Sequence, residues 1–263
     1  MGNEADNQAG DSAGTVTSET IELLRRHTSV RQYQDRPVSE AQLAAIVGAA
    51  QMASTSSNVQ AYSVIAVRDA ALKQQLSALS GNQAYIEQCP VFLVWCADLY
   101  RLRGAAAAHG DGGETYEDTT EQLLVATIDA ALAAQNAAVA AESLGLGIVY
   151  IGGVRNNSAE LSQLLGLPEL VYPVFGMCLG YPAGVNGLRP RLPLKAVLHH
   201  ERYDAAAQPE QVALYDDAYT AYMHERTGGK QAVAWSATMA QRLAQPVRLH
   251  MQDFLRARGF MRR

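Results

Sequence analysis

The segment YEDTTEQLLVATIDAALAAQNAAVAAESL, residues 116–144, predicts one long helix about which the rest of the chain is arranged. Its second half is rich in alanine, and Gly145 follows at a position where glycine commonly ends a helix. Small side chains allow a helix to approach its neighbour closely. We therefore expect this helix to pack tightly, either on a sheet of the same chain or on a second subunit.

Shorter elements flank the long helix on both sides. The hydrophobic pattern predicts strands at 62–68, 91–97, 148–151 and 171–179. It predicts a short helix opening near Ile21, a helix from the capping box Ser39-Glu-Ala-Gln42 to Ser54, and helices at 70–79, 159–165, 213–223 and 237–258. Residues 103–113, RGAAAAHGDGG, predict a flexible loop. Because only four strands are predicted, an α/β sandwich with a small sheet is favoured over a large doubly wound fold.

The composition is that of an ordinary globular protein of 263 residues, with 48% hydrophobic and 18% charged residues. A net charge of −5 argues against a general binder of nucleic acid or of anionic membranes. No uncharged apolar run approaches the roughly 18 residues that a transmembrane helix needs. Three cysteines are an odd number, which argues against a disulfide framework. Cys96 and Cys178 lie in apolar runs typical of buried, inert thiols. We expect a cytoplasmic protein.

The first residues differ from the rest of the chain. Residues 1–15, MGNEADNQAGDSAGT, are small, polar and acidic, without the basic start or apolar centre of a signal peptide. Such a composition predicts disorder. We expect a disordered leader over residues 1–18 and a single domain over residues 19–263.

The stretch His27-Thr-Ser-Val-Arg31 is the first candidate for a binding site, together with the hydroxylated run Ser54-Thr-Ser-Ser-Asn58. A histidine, a cation and several hydroxyls suit a dianionic phosphate, because charge-assisted and neutral donors together satisfy its oxygens without a metal. Neither a nucleophile nor an acid–base pair stands beside them. The pattern therefore predicts an anchor for a bound cofactor.

Other candidate motifs keep two interpretations each. Tyr150-Ile-Gly152-Gly153 is either a strand end whose glycines let the backbone approach a flat ligand or a plain tight turn. Arg189-Pro-Arg191, and Arg226 near Gly228-Gly229-Lys230, are either surface charge or phosphate contacts. The histidines at 199–200 and 224 do not continue at the spacing of a metal site, so no metal is expected.

Several blocks, taken in order, closely resemble the flavin-dependent nitroreductases, in particular the group-A oxygen-insensitive NADPH nitroreductases and the related NADPH–flavin oxidoreductases. The blocks are IELLRRHTSVRQYQDRPVSEAQ (21–42), ASTSSNVQ (53–60), SGNQAY (80–85), AAESLGLGIVYIGGVRNN (140–157), PVFGMCLGYP (173–182) and RPRLP (189–193). The resemblance covers nearly everything from residue 20 to residue 260. It is far more specific than any single motif.

The resemblance implies an α+β fold of the α/β/α sandwich type, with a mainly antiparallel central sheet, in a domain-swapped homodimer. A C-terminal extension, about residues 192–263, would embrace the partner, and FMN would lie at the dimer interface. The implied FMN contacts are His27, Thr28, Ser29, Arg31, Thr55, Ser56, Gln83, Tyr150, Gly152, Gly153, Arg189 and Arg191. The implied NADPH contacts are Arg226, in a mobile loop, and Lys230.

Three positions depart from the family pattern. Thr28 stands where an arginine is frequent, and Arg189 where a lysine is usual, which keeps the charge but changes its geometry. Gln231 stands where a second loop arginine is expected, which weakens the implied selectivity for NADPH over NADH.

The expected activity is that of an FMN-dependent NADPH oxidoreductase, with NADH as a further hydride donor and a small molecule as electron acceptor. Nitroaromatics, quinones, flavins, azo dyes and chromate are the expected acceptors. Since the flavin would perform the redox chemistry, no catalytic side chain is assigned, although Arg189 is expected to stabilise charge on the reduced cofactor. The alternatives are an NAD(P)H:flavin reductase and, in another class, a non-catalytic FMN-binding or redox-sensing protein.

Overall fold

The computed structural model describes residues 16–184 and 186–263, and their core is a four-stranded antiparallel sheet. The strands are β1 (Tyr62–Val67), β2 (Val91–Asp98), β3 (Gly147–Ile151) and β4 (Val171–Gly180). Their order across the sheet is β1-β2-β4-β3, and every pairing is antiparallel. This sheet confirms the predicted α+β fold, and the four predicted strands are correct to within about one residue at each end.

Helices cover both faces of the sheet. They are α1 (Glu19–Arg25), α2 (Glu40–Gln51), α3 (Ala70–Leu79), α4 (Ala84–Gln88), α5 (Tyr100–His109), α6 (Thr120–Ser143), α7 (Ser158–Leu164), α8 (Gln208–Arg226), α9 (Trp235–Leu243) and α10 (Met251–Ala257). Successive side chains of a strand point to opposite faces. Accordingly Leu93 and Trp95 of β2 share a core with α2 and α6, whereas Phe92 and Val94 share another with α3, α4 and α7. Both faces of β2 are therefore buried, which explains its continuous apolar sequence.

The long predicted helix is α6, and it packs on the sheet and on α2. The Thr119 side chain caps its first turn by accepting from the Gln122 backbone N–H, and Gly145 follows its end with φ +76°. By length and composition α6 could also cross a membrane, contrary to the expectation that no segment would pass such a test. Its alanine face is fully buried against the core, as in the central helix of a globular protein.

Two sequence predictions of secondary structure are wrong. Residues 103–113 do not form a loop throughout, because α5 extends to His109. The run Ala105–Ala108 has the highest helix propensity of any residue type and outweighs the cost of Gly104 within the helix. The single helix predicted at 237–258 is instead α9 and α10, separated around Pro246, whose ring and missing N–H disfavour a continuous helix.

Both ends of the described chain are tied to neighbouring elements. The predicted leader lies outside the described residues as far as Thr15, and Ser18, its last residue, caps α1 by accepting from the Ile21 N–H. In the C-terminal extension, Phe260 is fully buried and stacks edge-on against Tyr172 of β4 at a centroid distance of 5.1 Å. The end of the extension is thus part of the same core as the sheet.

Candidate functional site

A cavity of about 680 Å³ lies between the segment that follows α1, residues 186–191, and the last turn of α8. Its lining residues are His27, Thr28, Ser29, Arg31, Asn186, Gly187, Leu188, Arg189, Arg191, Tyr222, Glu225 and Arg226. Seven of the residues predicted from the sequence therefore meet in one place, although they come from three separate parts of the chain. A cavity of this size is in the range that holds a cofactor or a drug-sized ligand.

The segment 27–31 is fixed in the cavity wall by its contact with the edge strand β3. The Val30 backbone N–H donates to the Ile148 carbonyl at 2.8 Å, and the Tyr33 hydroxyl donates to the Val30 carbonyl at 2.7 Å. A Cβ at Gly147 would lie 2.4 Å from Val30 Cγ2, so only glycine permits this close approach. Gly147 thus permits residues 27–31 to pack closely against β3.

His27 is held by a carboxylate from the end of α6. Its Nδ1 lies 2.5 Å from Glu142 Oε1, and both side chains are partly buried. Because an ionised carboxylate can only accept, Nδ1 must carry the proton that is shared with it. The ring orientation is therefore set, and Nε2 is left for the cavity.

Positive charge dominates the cavity. Arg31, Arg189, Arg191 and Arg226 all line it, and none of them forms an ion pair with any residue in the described part of the chain. The backbone of the Arg189–Arg191 turn is held in place, because the buried Tyr215 of α8 donates its hydroxyl to the Pro190 carbonyl at 3.0 Å. Four guanidinium groups without carboxylate partners favour a multiply charged anion such as a phosphate ester.

The other predicted contacts do not line this cavity. They are Thr55, Ser56, Gln83, Tyr150, Gly152, Gly153 and Lys230. Tyr150 lies on β3 with its ring edge-on to Phe175 at 5.2 Å, and burial raises the pKa of its phenol. Lys230 is exposed in the turn that follows α8. The structure leaves the roles of these residues as predictions.

Thr55 and Ser56 begin a loop that is clamped to α6. The carboxylate of Asp129, which is fully buried, accepts the backbone N–H of Ser56 at 3.1 Å and that of Ala61 at 3.0 Å. Between these two contacts lie three non-glycine residues in the left-handed region, Ser57, Asn58 and Gln60, with φ of 48°, 58° and 54°. Such backbone is strained and persists only when its surroundings hold it.

The glycines after β3 lie in a tight turn, which is one of the two predicted interpretations, and the contact with a flat ligand stays a prediction. A Cβ at Gly153 would lie 2.2 Å from the Ser80 carbonyl oxygen and 2.3 Å from Gln83 Nε2. Gly153 is therefore required by close packing within the protein, in a short 3₁₀ turn over Gly152–Arg155. The amide of Gln83 is already engaged, because Nε2 donates to the Ser80 carbonyl at 2.7 Å and Oε1 accepts from the Tyr85 hydroxyl.

The expected position of Arg226 in a mobile loop is wrong, because Arg226 is the last residue of α8. Five further residues line the cavity that the sequence did not indicate, namely Asn186, Gly187, Leu188, Tyr222 and Glu225. Tyr222 already lies in the predicted helix 213–223, and continuing that helix by one turn adds Glu225 and Arg226. Tyr222, Glu225 and Arg226 stand at positions i, i+3 and i+4, which share one face of a helix.

Two family models match the chain in succession. The model described as "Nitroreductase family" matches residues 24–181, and the one described as "Nitroreductase family, C-terminal domain" matches residues 189–263. Among curated proteins, the chain is 42% identical to "FMN reductase (NADPH)" of Bacillus subtilis, covering 92% of this chain and 98% of that protein. It is 39% identical to "Oxygen-insensitive NADPH nitroreductase" of Salmonella typhimurium, covering 94% and 100%.

Solved structures agree with these matches over most of the chain. The structure of the NfrA1 nitroreductase from B. subtilis superposes with a TM-score of 0.90 at 41% identity, covering 93% of this chain and 100% of that one. The NADPH:FMN oxidoreductase from Vibrio harveyi, complexed with NAD+, superposes with a TM-score of 0.83 at 36% identity, covering 93% and 99%. The similarity thus includes both the sheet and the C-terminal helices.

Proposed function

The chain belongs to the nitroreductase family, and from that premise we propose that it is an FMN-dependent NAD(P)H oxidoreductase that reduces small molecules by two-electron transfer. The observation that carries this proposal is the cavity with its four unpaired arginines. Relatives named FMN reductase, nitroreductase and NADPH-flavin oxidoreductase support the chemistry assigned to it. We place the enzyme in the cytoplasm, because its composition is that of an ordinary globular protein and its three cysteines are free thiols.

The residues of the cavity fit a flavin mononucleotide. Arg31 would bind the phosphate by charge-assisted hydrogen bonds, and the hydroxyls of Thr28 and Ser29 would add neutral donors to the phosphate and ribityl chain. Because Nδ1 of His27 is engaged by Glu142, His27 would donate to the phosphate from Nε2 when its ring carries both protons. When bound, FMN would supply the redox chemistry, a hydride taken from NAD(P)H and passed as two electrons to an acceptor in a ping-pong cycle. The fit rests on cations that have no carboxylate partner within the described residues.

Arg189 and Arg191 would act on charge rather than on protons. A fixed cation beside the flavin ring would stabilise the negative charge that the ring gains on reduction, and a rigid turn would hold it there without reorganisation. The hydrogen bond from Tyr215 to the Pro190 carbonyl provides that rigidity. We therefore assign Arg189 and Arg191 an electrostatic role and no role as proton donors.

NADPH would be bound from the other wall of the cavity. Arg226, at the end of α8, is the candidate for its 2′-phosphate, with Lys230 in support from the following turn. Arg226 is the last residue of this 19-residue helix, at the point where α8 passes into the turn that leads to α9.

We propose that the active form is a homodimer with FMN at the interface. Leu124, Ile128 and Leu132 form an apolar stripe along α6, with 51%, 54% and 45% of their surface exposed. Burial of such a stripe against a second copy would be favourable. A second copy would also explain why Thr55 and Ser56, beside α6, do not line the cavity of their own chain. The extension, about residues 192–263, would wrap the partner, because Leu194, Tyr203 and Leu243 expose 72%, 72% and 85% of their surface.

The experiment that tests this function is stopped-flow reduction of the purified holoprotein by NADPH and by NADH, followed by mixing with acceptors. Fast bleaching of the flavin band and reoxidation by a nitroaromatic or a quinone are the expected results. Preferential reduction of free FMN would favour the alternative, an NAD(P)H:flavin reductase, which several relatives' names also describe. A flavoprotein that NADPH does not reduce would be a non-catalytic FMN binder and would contradict the proposal.

A further inference from the structure

We propose that Glu225 is a specificity-determining residue, which reads the ribose 2′-hydroxyl of NADH and restrains the preference for NADPH that Arg226 creates. The inference rests on the proposed function, because it assigns the nucleotide to the same cavity. It concerns a side chain that no family motif in the chain pointed to.

Glu225 and Arg226 face the same cavity from the last turn of α8. Both line it, together with Tyr222 one turn earlier. The Arg226 guanidinium carbon lies 6.0 Å from the centroid of the Tyr222 ring. Glu225 follows Tyr222 by three residues and therefore lies on the same side of the helix as that ring. An aromatic ring, a carboxylate and a guanidinium on one face offer contacts for a base, for ribose hydroxyls and for a phosphate.

The carboxylate of Glu225 is free to act on a ligand. It forms no ion pair and accepts no side-chain hydrogen bond within residues 16–184 and 186–263, and Arg226 beside it is not neutralised by it. Among the lining residues of the cavity it is the only carboxylate. A single acid among four arginines would weaken phosphate binding unless it serves a different group of the ligand.

The two nucleotides differ at the group that Glu225 and Arg226 would meet. A carboxylate accepts a hydrogen bond from the 2′-hydroxyl of NADH, which is how acidic residues select NAD in other nucleotide-binding folds. The same carboxylate repels the 2′-phosphate of NADPH, and the partial negative charge at the end of α8 adds to that repulsion. Arg226 acts in the opposite direction. Two adjacent residues of opposite charge would therefore together set the ratio of kcat/KM for NADPH to kcat/KM for NADH.

The test compares four proteins as FMN-loaded full-length enzyme: the native chain, Glu225→Gln, Arg226→Ala and the control Glu210→Gln. Glu210 lies in the first turn of the same helix and does not line the cavity, so its substitution removes the same charge at a distance. kcat/KM is measured for NADPH and for NADH. Calorimetric binding of 2′,5′-ADP and of 5′-AMP provides a second readout that does not depend on turnover.

Glu225→Gln should raise kcat/KM for NADPH and lower kcat/KM for NADH, each by roughly fivefold, because an exposed charge contact contributes about that much in each direction. The ratio of the two kcat/KM values should therefore change by about 25-fold. The effect on NADPH should shrink at high ionic strength, where charge repulsion is screened. Arg226→Ala should change the ratio in the opposite direction, and Glu210→Gln should leave it unchanged.

A ratio that Glu225→Gln leaves within twofold of the native value, by turnover and by calorimetry, would overturn the proposal. Equal changes with both nucleotides would also overturn it, because they would indicate general repulsion rather than reading of the 2′ group. Failure of the proposed function is distinguishable, because the native protein would then oxidise neither nucleotide. The calorimetric ratio would still decide the role of Glu225 in that case.

Discussion

Two aspartates hold a loop by the same kind of contact, one inside the molecule and one at its surface. Asp129 is fully buried and accepts the backbone N–H groups of Ser56 and Ala61, which fixes the loop between them. Asp216 on α8 is half-exposed and accepts the backbone N–H of Ser236 at 2.8 Å, as well as its hydroxyl. Since Ala234 offers no capping side chain, Asp216 supplies the missing cap of α9 from the neighbouring helix.

The difference between the two contacts lies in what replaces them when they break. Water can reach the N–H of Ser236 but not the buried N–H of Ala61, so losing Asp129 leaves a donor without any partner. We infer that the Thr55–Ala61 loop is preformed, whereas the α8–α9 region can adjust to its ligand. The cavity has one fixed wall, in which residues 27–31 are hydrogen-bonded to β3. Its other wall is adjustable, because Arg226 lies at the end of α8, beside the α8–α9 region.

The largest expected effect follows from removing the buried carboxylate. Asp129→Ala should lower the free energy of unfolding by about 3–5 kcal/mol, because two backbone N–H groups lose a charged acceptor. Urea denaturation measures this change. Asp217→Ala, which removes an exposed carboxylate from α8, is the control and should have a negligible effect. A loss of stability no greater than that of the control would show that the loop does not depend on Asp129.

The second effect concerns the fixed wall of the cavity. Arg31→Ala should weaken FMN retention by about 1.5–3 kcal/mol, the worth of a charge-assisted contact to phosphate. Fluorescence titration of the apoprotein with FMN measures this change. Arg25→Ala, in the exposed end of α1, should bind FMN as the native chain does. Unchanged affinity in Arg31→Ala would remove Arg31 from the phosphate site.

The adjustable wall should show a smaller and more selective effect. Arg226→Ala should lower kcat/KM for NADPH by roughly ten- to thirtyfold, about 1–2 kcal/mol, because a single exposed arginine meets the 2′-phosphate. KM for NADH should change far less, and the half-reaction with the acceptor should stay intact. Steady-state kinetics with both nucleotides measure the difference. Equal losses with NADPH and NADH would mean that Arg226 does not read the 2′-phosphate.

The smallest expected effect is a pH dependence of the hydrogen bonds that Asp216 accepts from Ser236. The hydrogen bonds from Ser236 hold the pKa of Asp216 below its usual value, so the folded state favours the ionised carboxylate. A lowered pKa contributes stability that is present above the ordinary value, near pH 4, and is lost as pH falls through the folded-state pKa. Hydrogen exchange in residues 227–236 should therefore rise as pH is lowered below about 4, after correction for the intrinsic rate. Asp216→Asn should abolish that dependence, and its persistence in the variant would contradict this account.

Local patterns in the sequence predicted most of the fold. The capping box of α2, the alanine-rich face of α6 and the apolar run of β2 are short-range signals, and the structure has all three where they were expected. The errors came from competing local signals. Gly104 was given more weight than the four alanines that follow it, and Pro246 was given too little weight within a segment with helical periodicity.

The candidate site was predicted where its residues are adjacent in sequence and missed where tertiary packing brings them together. The segments 27–31 and 189–191 were identified directly, because each groups its charges within a few residues. The helical spacing of Tyr222, Glu225 and Arg226 can be read from the sequence, but the position of α8 across the cavity depends on tertiary packing. The close contact of Gly153 with the Ser80 carbonyl joins residues 73 positions apart and could not be read from the sequence, and the predicted contact of Gly153 with a flat ligand stays a prediction.

The cationic cavity is proposed to hold a flavin mononucleotide, and the amount of flavin bound to the purified protein tests this most directly. The full chain is purified, its absorption spectrum is recorded, and the released cofactor is quantified against protein concentration, before and after incubation with excess FMN. We expect a yellow protein with about one FMN per subunit. Arg31→Ala should lose part of this FMN during purification and take it up again when FMN is added in excess. A colourless protein that takes up no FMN would contradict the account.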